Sequence, residues 1–342
     1  MRYTPLEHAG SGEKLARDIF AVDGRVLLSK GVTLTIGLIS KLRDMGVTGV
    51  YMEDSRFADI PQEELVSETT KRNVMEILAA SGPLLSGSTI QEFRGLSETV
   101  ENLIDEITAN KDVLASITDI RSADNELFLH MLNVAMISVL IGIHMKLERE
   151  KLKELAVGAL LHDVGKVEPS CLAAERDKDT AGKQTHHAWK GFHLLRKAAG
   201  VSTLSAHVAL AHHEHPDGSG MPRGLFSKDI HLLAKIVACA NMFDRLHTSG
   251  VLPHTACEQM MALSGSHLDH AVVWRFMRAV AFYPNGTQVR LSTGATGIII
   301  RQHAGLPQRP VIRLLEKSGS DFSYSEIDLA EETTLFIEKV FA

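Results

Sequence analysis

A His-Asp pair at His162 and Asp163, a lysine at Lys166, a histidine at His187 and a second pair at His212 and His213 are the residues of this sequence best suited to metal chemistry. His162 offers a neutral nitrogen donor, and Asp163 a carboxylate able to bridge two cations. Two cations sharing one water lower its pKa and stabilise the attacking and leaving oxygens of an in-line displacement at phosphorus. Lys166, one helical turn beyond Asp163, is placed to neutralise a phosphate oxygen. Upstream, Glu126 and His130 are four residues apart, so on a helix they share a face and can serve the same ion or adjacent ions. A mixed histidine and carboxylate set suits iron or manganese better than a structural zinc, which prefers thiolates.

The elements that must position these donors follow from the spacing. From Asp163 to His187 and on to His212 the steps are 24 and 25 residues, each about a helix out and a helix back. Such steps return the donors to one end of a helical bundle, where a multi-metal pocket can form from residues distant in sequence. Histidine occurs 17 times, and all but His8 and His303 fall between His130 and His270.

Composition sets the frame. At 342 residues the chain exceeds what one hydrophobic core usually organises, so several structural units are expected. Hydrophobic residues at 44% and charged residues at 23% fit a globular protein and exclude disordered or collagen-like classes. A formal charge of −6 with no long basic block gives no footprint for DNA or an anionic membrane. Cys171, Cys239 and Cys257 form no CxxC pair, which points to a reducing compartment. The start lacks a secretory pattern, and the apolar run from Asn133 to Met145 is short for a membrane span, so a cytoplasmic location is expected.

Four segments are expected. Residues 1–58 read as a small α/β unit: two short strands around Asp23-Gly24, a helix ending at Gly46, and a strand before Glu53. Residues 59–122 read as linker helices. One is capped near Asp59 to Pro61 and runs to about Ala80; the other, after a linker at 81–88, opens with a Ser88/Gln91 capping box. The second helix carries a stripe through Ile90, Phe93, Leu96, Val100, Leu103, Ile104 and Ile107, which packs within the chain or, alternatively, forms a homodimer contact. Residues 123–283 are dominated by helical patterns, and 284–342 by short strands. The fold class is therefore mainly α, with small α/β and β units at its ends.

Leu160 to Lys166 (LLHDVGK) together with His212 to Leu225 (HHEHPDGSGMPRGL) resembles the HD-GYP family, a branch of the HD-domain metal-dependent phosphohydrolases. The resemblance extends over roughly residues 123–282 and includes DNELFLHMLNVA and the H-x-x-x-G element at His187. It implies an HD-type helical bundle that holds two or three divalent metal ions, with Glu126, His130, His162, Asp163, His187, His212 and His213 as metal donors. Glu126 implies the trinuclear subtype. The implied reaction is hydrolysis of a cyclic dinucleotide, chiefly cyclic di-GMP, by metal-activated hydroxide. Gly220, Met221, Pro222 and Arg223 fall on the substrate loop, and a signalling-protein partner is implied. Glu214 and Asp217 are expected to orient neighbouring histidines.

The sequence also departs from the family's pattern. Asn241 stands where a ligand aspartate is expected, with Asp244 nearby as a weak substitute, and Met221 replaces the tyrosine of GYP. Gly250 to Pro253 occupies the place of a basic Arg-Pro-Tyr-Arg stretch. Two functional classes follow: an active phosphodiesterase, or a degenerate module that binds a ligand or a protein without turnover.

Overall fold

The computed structural model describes the chain except residues 55–58, 61–63, 86–89, 117–118, 168–185, 319–320 and 342. Cys171, Pro61, the end of the expected 81–88 linker and the Ser88 half of the capping box lie outside the described residues.

The N-terminal unit contains strand β1 (Arg2–Pro5), strands β2 (Ile19–Phe20) and β3 (Val26–Leu28), helix α1 (Ile36–Asp44) and strand β4 (Gly49–Met52). β2 and β3 form the expected hairpin, while β1 pairs antiparallel with β4 to place Tyr3 opposite Tyr51. Thr35 starts α1 by accepting the Leu38 N–H on its hydroxyl. The apolar residues Leu15, Ile19, Leu34, Val50 and Met52 close a small core of their own.

Helices α2 (Glu68–Leu85) and α3 (Ile90–Ala109) follow. The start expected near Asp59 is not observed: α2 begins at Glu68, and the Asp59 carboxylate instead pairs with Arg313 of the C-terminal sheet. α2 also continues through residues 81–85, which were expected to belong to a linker. From Leu96 to Ile107 the α3 stripe is buried against the bundle, so this part of its apolar face is satisfied within the chain.

Helices α4 (Glu126–His144), α5 (Arg149–Leu160), α6 (His187–Leu195), α7 (Thr203–Ala211), α8 (Leu232–Thr248), α9 (Pro253–Ala262) and α10 (His270–Phe276) complete the bundle. α4 is apolar on every side from Leu129 to Gly142 except for His130, Asn133 and Ser138, and it packs between α5 and α8. A helix hydrophobic all round belongs in a core. By length and composition α4 could cross a membrane, but most of its surface is buried inside the bundle. Cys239 and Cys257 are free thiols in this core, and burial pushes both thiol pKa values up.

The C-terminal unit is one antiparallel sheet of strands β5 (Gln288–Leu291), β6 (Thr296–Arg301), β7 (Val311–Ser318), β8 (Asp321–Asp328) and β9 (Ile337–Phe341), in the order β8-β7-β6-β5-β9. The last strand, which the sequence pattern did not single out, returns to pair with β5.

Candidate metal centre

Every donor in the centre sits at or near a helix end. His130 lies in the second turn of α4, and His162 and Asp163 follow the C-terminus of α5. His187 is the first residue of α6, capped by the His186 ring, which accepts the Ala188 N–H; His212 is the residue that closes α7. Between α5 and α6, Asp163 leads into a 3-10 turn at Val164–Lys166 that packs on α6. Gly165 makes that approach close, because a Cβ there would lie 2.2 Å from the His187 carbonyl oxygen. Gly165→Ala is therefore expected to push α6 away, costing about 1–3 kcal/mol in urea unfolding and displacing His187. An unchanged denaturation midpoint would contradict that packing.

The backbone fixes which ring nitrogen faces inward. His162 Nδ1 is 2.7 Å from the Ala159 carbonyl oxygen, and His212 Nδ1 is 2.8 Å from that of Ala209. A carbonyl only accepts, so each Nδ1 carries the proton and each Nε2 presents its lone pair to the centre. His130 is held differently: its Nδ1 lies 2.6 Å from the Asp244 carboxylate, which also binds Arg121.

The Nε2 atoms converge. His130 Nε2 and His162 Nε2 are 3.2 Å apart, and His187 Nε2 is 3.3 Å from His212 Nε2 and 3.1 Å from His213 Nε2. Asp163 stands between the two sets. Its Oδ2 lies 3.5 Å from both His130 and His162, and its Oδ1 lies 3.2 Å from His187 and 3.5 Å from His212. The donors thus form two groups that share one carboxylate: His130, His162 and Asp163, and Asp163, His187, His212 and His213.

This set fits divalent cations. Donors about 2.1 Å from one ion lie roughly 3.0–3.4 Å from each other, close to the spacings observed. Lone pairs facing one another at such distances repel unless a cation or proton lies between them. Asp163 is 1% exposed, and its Oδ1 makes no hydrogen bond of good geometry. Burial would raise the Asp163 pKa, but His162, His130 and His187 outweigh it and hold the carboxyl well below its usual range. Burial lowers the His212 pKa to about 3, and burial with the nearby His212 and His187 keeps His213 well below its usual value. Burial also lowers His162. At neutral pH these three rings are therefore uncharged and Asp163 is anionic, the protonation states that metal ligation requires.

Other expected residues fall differently. Glu126 is exposed and joins neither donor group; as the first residue of α4 it lies one turn away from His130 toward solvent. Lys166 does not stand free: its Nζ is 2.6 Å from Asp163 Oδ2. Asn241 is 4% exposed on α8, with an unpartnered Oδ1, and belongs to neither group. Asp244 also belongs to neither group; its two oxygens pair with His130 and Arg121.

The loop after His213 is tied to the centre by its backbone. Met221 N–H donates to the His213 carbonyl, and the buried Glu214 carboxylate accepts the N–H groups of Arg223 (2.7 Å) and Leu225 (2.8 Å). Glu214 therefore shapes this loop rather than orienting a histidine, and Asp217 likewise accepts the Ser219 N–H. Gly220 is obligatory here, because a Cβ would lie 2.1 Å from the His215 nitrogen. Pro222 is buried beside it, while Met221 and Arg223 are exposed at the rim. Sequence reading missed the support given by Arg121, which sits in a loop with no periodicity to mark it.

A family model described as HD domain matches residues 75–272, and another described as KOW domain associated with HD domain matches residues 288–342. Among curated proteins, the chain is 27% identical over 321 residues to the cyclic di-GMP phosphodiesterase PA4108 of Pseudomonas aeruginosa, covering 82% of this chain and 77% of that one. It is 30% identical to a cyclic di-GMP phosphodiesterase of Thermotoga maritima, over 49% of this chain and 48% of that one. It is 33% identical to the 3'3'-cGAMP-specific phosphodiesterase 3 of Vibrio cholerae, over 33% of this chain and 26% of that one. The chain thus spans most of the Pseudomonas protein and about half or less of the other two. Bd1817, an HDG"Y"P protein from Bdellovibrio bacteriovorus, shares the fold, with a TM-score of 0.52 and 16% identity over 80% of this chain and 97% of that chain. The HD model covers more than half of the sequence and contains every donor of the two groups, so the chain belongs to the HD domain family.

Proposed function

We propose that the protein is a metal-dependent phosphodiesterase that hydrolyses a cyclic dinucleotide, cyclic di-GMP first among them. The observation that carries this reading is Asp163, a buried carboxylate shared by two histidine groups. The names of the relatives support the substrate class. Together these favour the enzyme over the degenerate module.

His130 and His162 with Asp163 would hold one divalent ion, and His187, His212 and His213 with Asp163 a second. Bound there, the ions would supply water activation and neutralise charge on the phosphoryl oxygens. The chain does the rest. Nδ1 anchors keep the donor rings in the correct tautomer, Asp163 offsets positive charge, and Glu214 holds the 220–225 loop against the rim of the centre. With Glu126 outside the groups, two ions are favoured over three. The donors include no thiolate, which favours iron or manganese over zinc. Gly220, Met221, Pro222 and Arg223 would border the substrate, with Arg223 as the basic side chain of that loop.

Elemental analysis of anaerobically purified protein, run beside turnover of cyclic di-GMP and 3'3'-cGAMP, tests the proposal. About two ions per chain and ring opening of at least one substrate are expected. Full metal content without turnover of either would support the non-catalytic module.

Lys166 is placed to act on the carboxylate and on a phosphate together. Lys166→Ala is expected to lower turnover by about 10²-fold while leaving metal content largely intact. An equal loss of metal would make it a structural partner of Asp163 alone. Asn241→Asp would restore the carboxylate implied by the family resemblance and is expected to raise metal stoichiometry, read by the same elemental analysis. No change would remove position 241 from the centre.

A further inference from the structure

The loop that leads into α4 touches both the N-terminal unit and the support of the metal centre. Ile120 is buried, and its side chain belongs to the small core of the N-terminal unit. The Ala123 N–H donates to the carbonyl of Met45, just after α1, at 3.0 Å. Asn125 donates from Nδ2 to the Phe20 carbonyl of β2 at 2.8 Å. Its side chain has no exposed surface, and its Oδ1 accepts the Ser122 N–H at 2.8 Å, so one amide closes the turn and ties it to β2. On the other flank, Asp119 pairs with Lys71 of α2 at 2.8 Å.

Between these anchors Arg121 binds α8 instead. Its Nη2 donates to Asp244 Oδ1 and its Nη1 to the Thr248 hydroxyl at 2.6 Å; that hydroxyl in turn donates to the Asp244 backbone carbonyl at 2.8 Å. A planar guanidinium that grips two points one turn apart on a helix fixes direction as well as distance, which a point charge does not. With Oδ1 held by Arg121, Asp244 presents Oδ2 to His130 Nδ1. An unheld carboxylate could rotate about its last bond and turn that oxygen from the ring. Arg121 has a loop beneath it rather than a helix, so the rigidity of its grip comes from the neighbours anchored on the N-terminal unit.

We propose that Arg121 is a positioning residue for the metal centre, and that the N-terminal unit acts on the centre by holding the loop that aims it. This role rests on the donor groups of the proposed centre and adds to them a part of the chain that contributes no ligand. Two effects of Arg121 oppose each other. Its positive charge repels a cation held at His130, whereas its grip keeps His130 aimed. Removing a group that acts only as a charge tightens metal binding; removing a positioning group weakens it.

Calorimetric titration of the metal-free full chain with Mn²⁺ separates the two. Arg121→Leu is expected to weaken binding at the His130 group by about tenfold, the lower end of the loss that follows removal of a ligand's hydrogen-bond partner. Unchanged or tighter binding would overturn the proposal. If that variant fails to fold, Arg121→Lys decides: it keeps the charge beside Asp244 but not the fork, so its Mn²⁺ affinity should also fall, and an unchanged affinity would overturn the proposal equally. Asn125→Ala removes the tie to β2 from a side chain that hydrogen-bonds to neither Asp244 nor His130. It should weaken Mn²⁺ binding by about threefold or more in the wild-type background and have no further effect beside Arg121→Lys. An equal loss in both backgrounds, or none in the first, would show that the N-terminal unit does not act through Arg121. Crystal structures of the metal-free wild type and Arg121→Lys give a readout that needs no metal: Asp244 Oδ2 should lie on His130 Nδ1 in the wild type and turn from it in the variant. If the wild type takes up no Mn²⁺, the proposed centre fails, whereas the same aim of Asp244 in both crystals would overturn the positioning role by itself.

Discussion

Asp163→Ala is expected to strip most of the bound metal while leaving the helical fold in place. Asp163 is the only carboxylate in either donor group and serves both, so its loss leaves five imidazoles with no anion to offset the cations. Removal of a partner that merely orients a ligand costs about 10–100-fold in affinity, and loss of a shared donor should exceed that for both ions. The fold should survive, because the side chain left without a partner is Lys166, at 22% exposure and able to turn toward water. Elemental analysis and far-UV circular dichroism on the same preparation check both halves of this expectation. Metal content equal to wild type would refute the assignment of Asp163 as the bridge. Asp163→Asn adds a control: an amide of the same shape keeps one oxygen donor but lacks the charge, so retained metal there would show that geometry rather than charge governs binding.

How much of this centre the sequence disclosed depends on how local each interaction is. His162-Asp163, His187 and His212-His213 were legible because their spacing of about two helices brings helix ends back together, and the structure places all of them at helix ends. Glu126 stands apart from the groups for a related reason: an i, i+4 relation gives a common face but not a common depth. His130 reaches the buried centre, while Glu126, a turn earlier, meets solvent. Asp244 was legible as a nearby carboxylate but not in its role, which depends on the rotation of α8 against α4. Arg121 reaches Asp244 across 123 residues of sequence, and no periodicity in its loop announces that contact. The fold shows the same division. The β2-β3 hairpin and α1 follow from local turn and capping chemistry, whereas the partner of β4 and the return of β9 to β5 are long-range pairings.

Asp244 leads to the most discriminating expectation, since it can be altered in two ways that rank oppositely for stability and for metal. Its side chain is fully buried between the Arg121 guanidinium, which can only donate, and His130 Nδ1. Asp244→Ala removes the anion from a largely buried ion pair, a change that typically costs about 3–5 kcal/mol, because the remaining charge keeps its desolvation penalty. Asp244→Asn preserves shape and should cost less. For metal the order reverses. The asparagine oxygen must face Arg121, so its NH2 group faces His130 Nδ1 and obliges that nitrogen to accept. The ring proton then moves to Nε2, the atom that points at His162 and Asp163, and the lone pair needed for ligation is lost. In Asp244→Ala the ring is freed from its anchor yet remains able to carry its proton on Nδ1. Metal affinity at the His130 group should therefore fall toward the upper end of the 10–100-fold range in Asp244→Asn and by less in Asp244→Ala. Urea unfolding and metal titration of the two variants give the two rankings independently. If Asp244→Ala binds metal more weakly than Asp244→Asn, Asp244 acts through packing and charge rather than by setting the His130 tautomer.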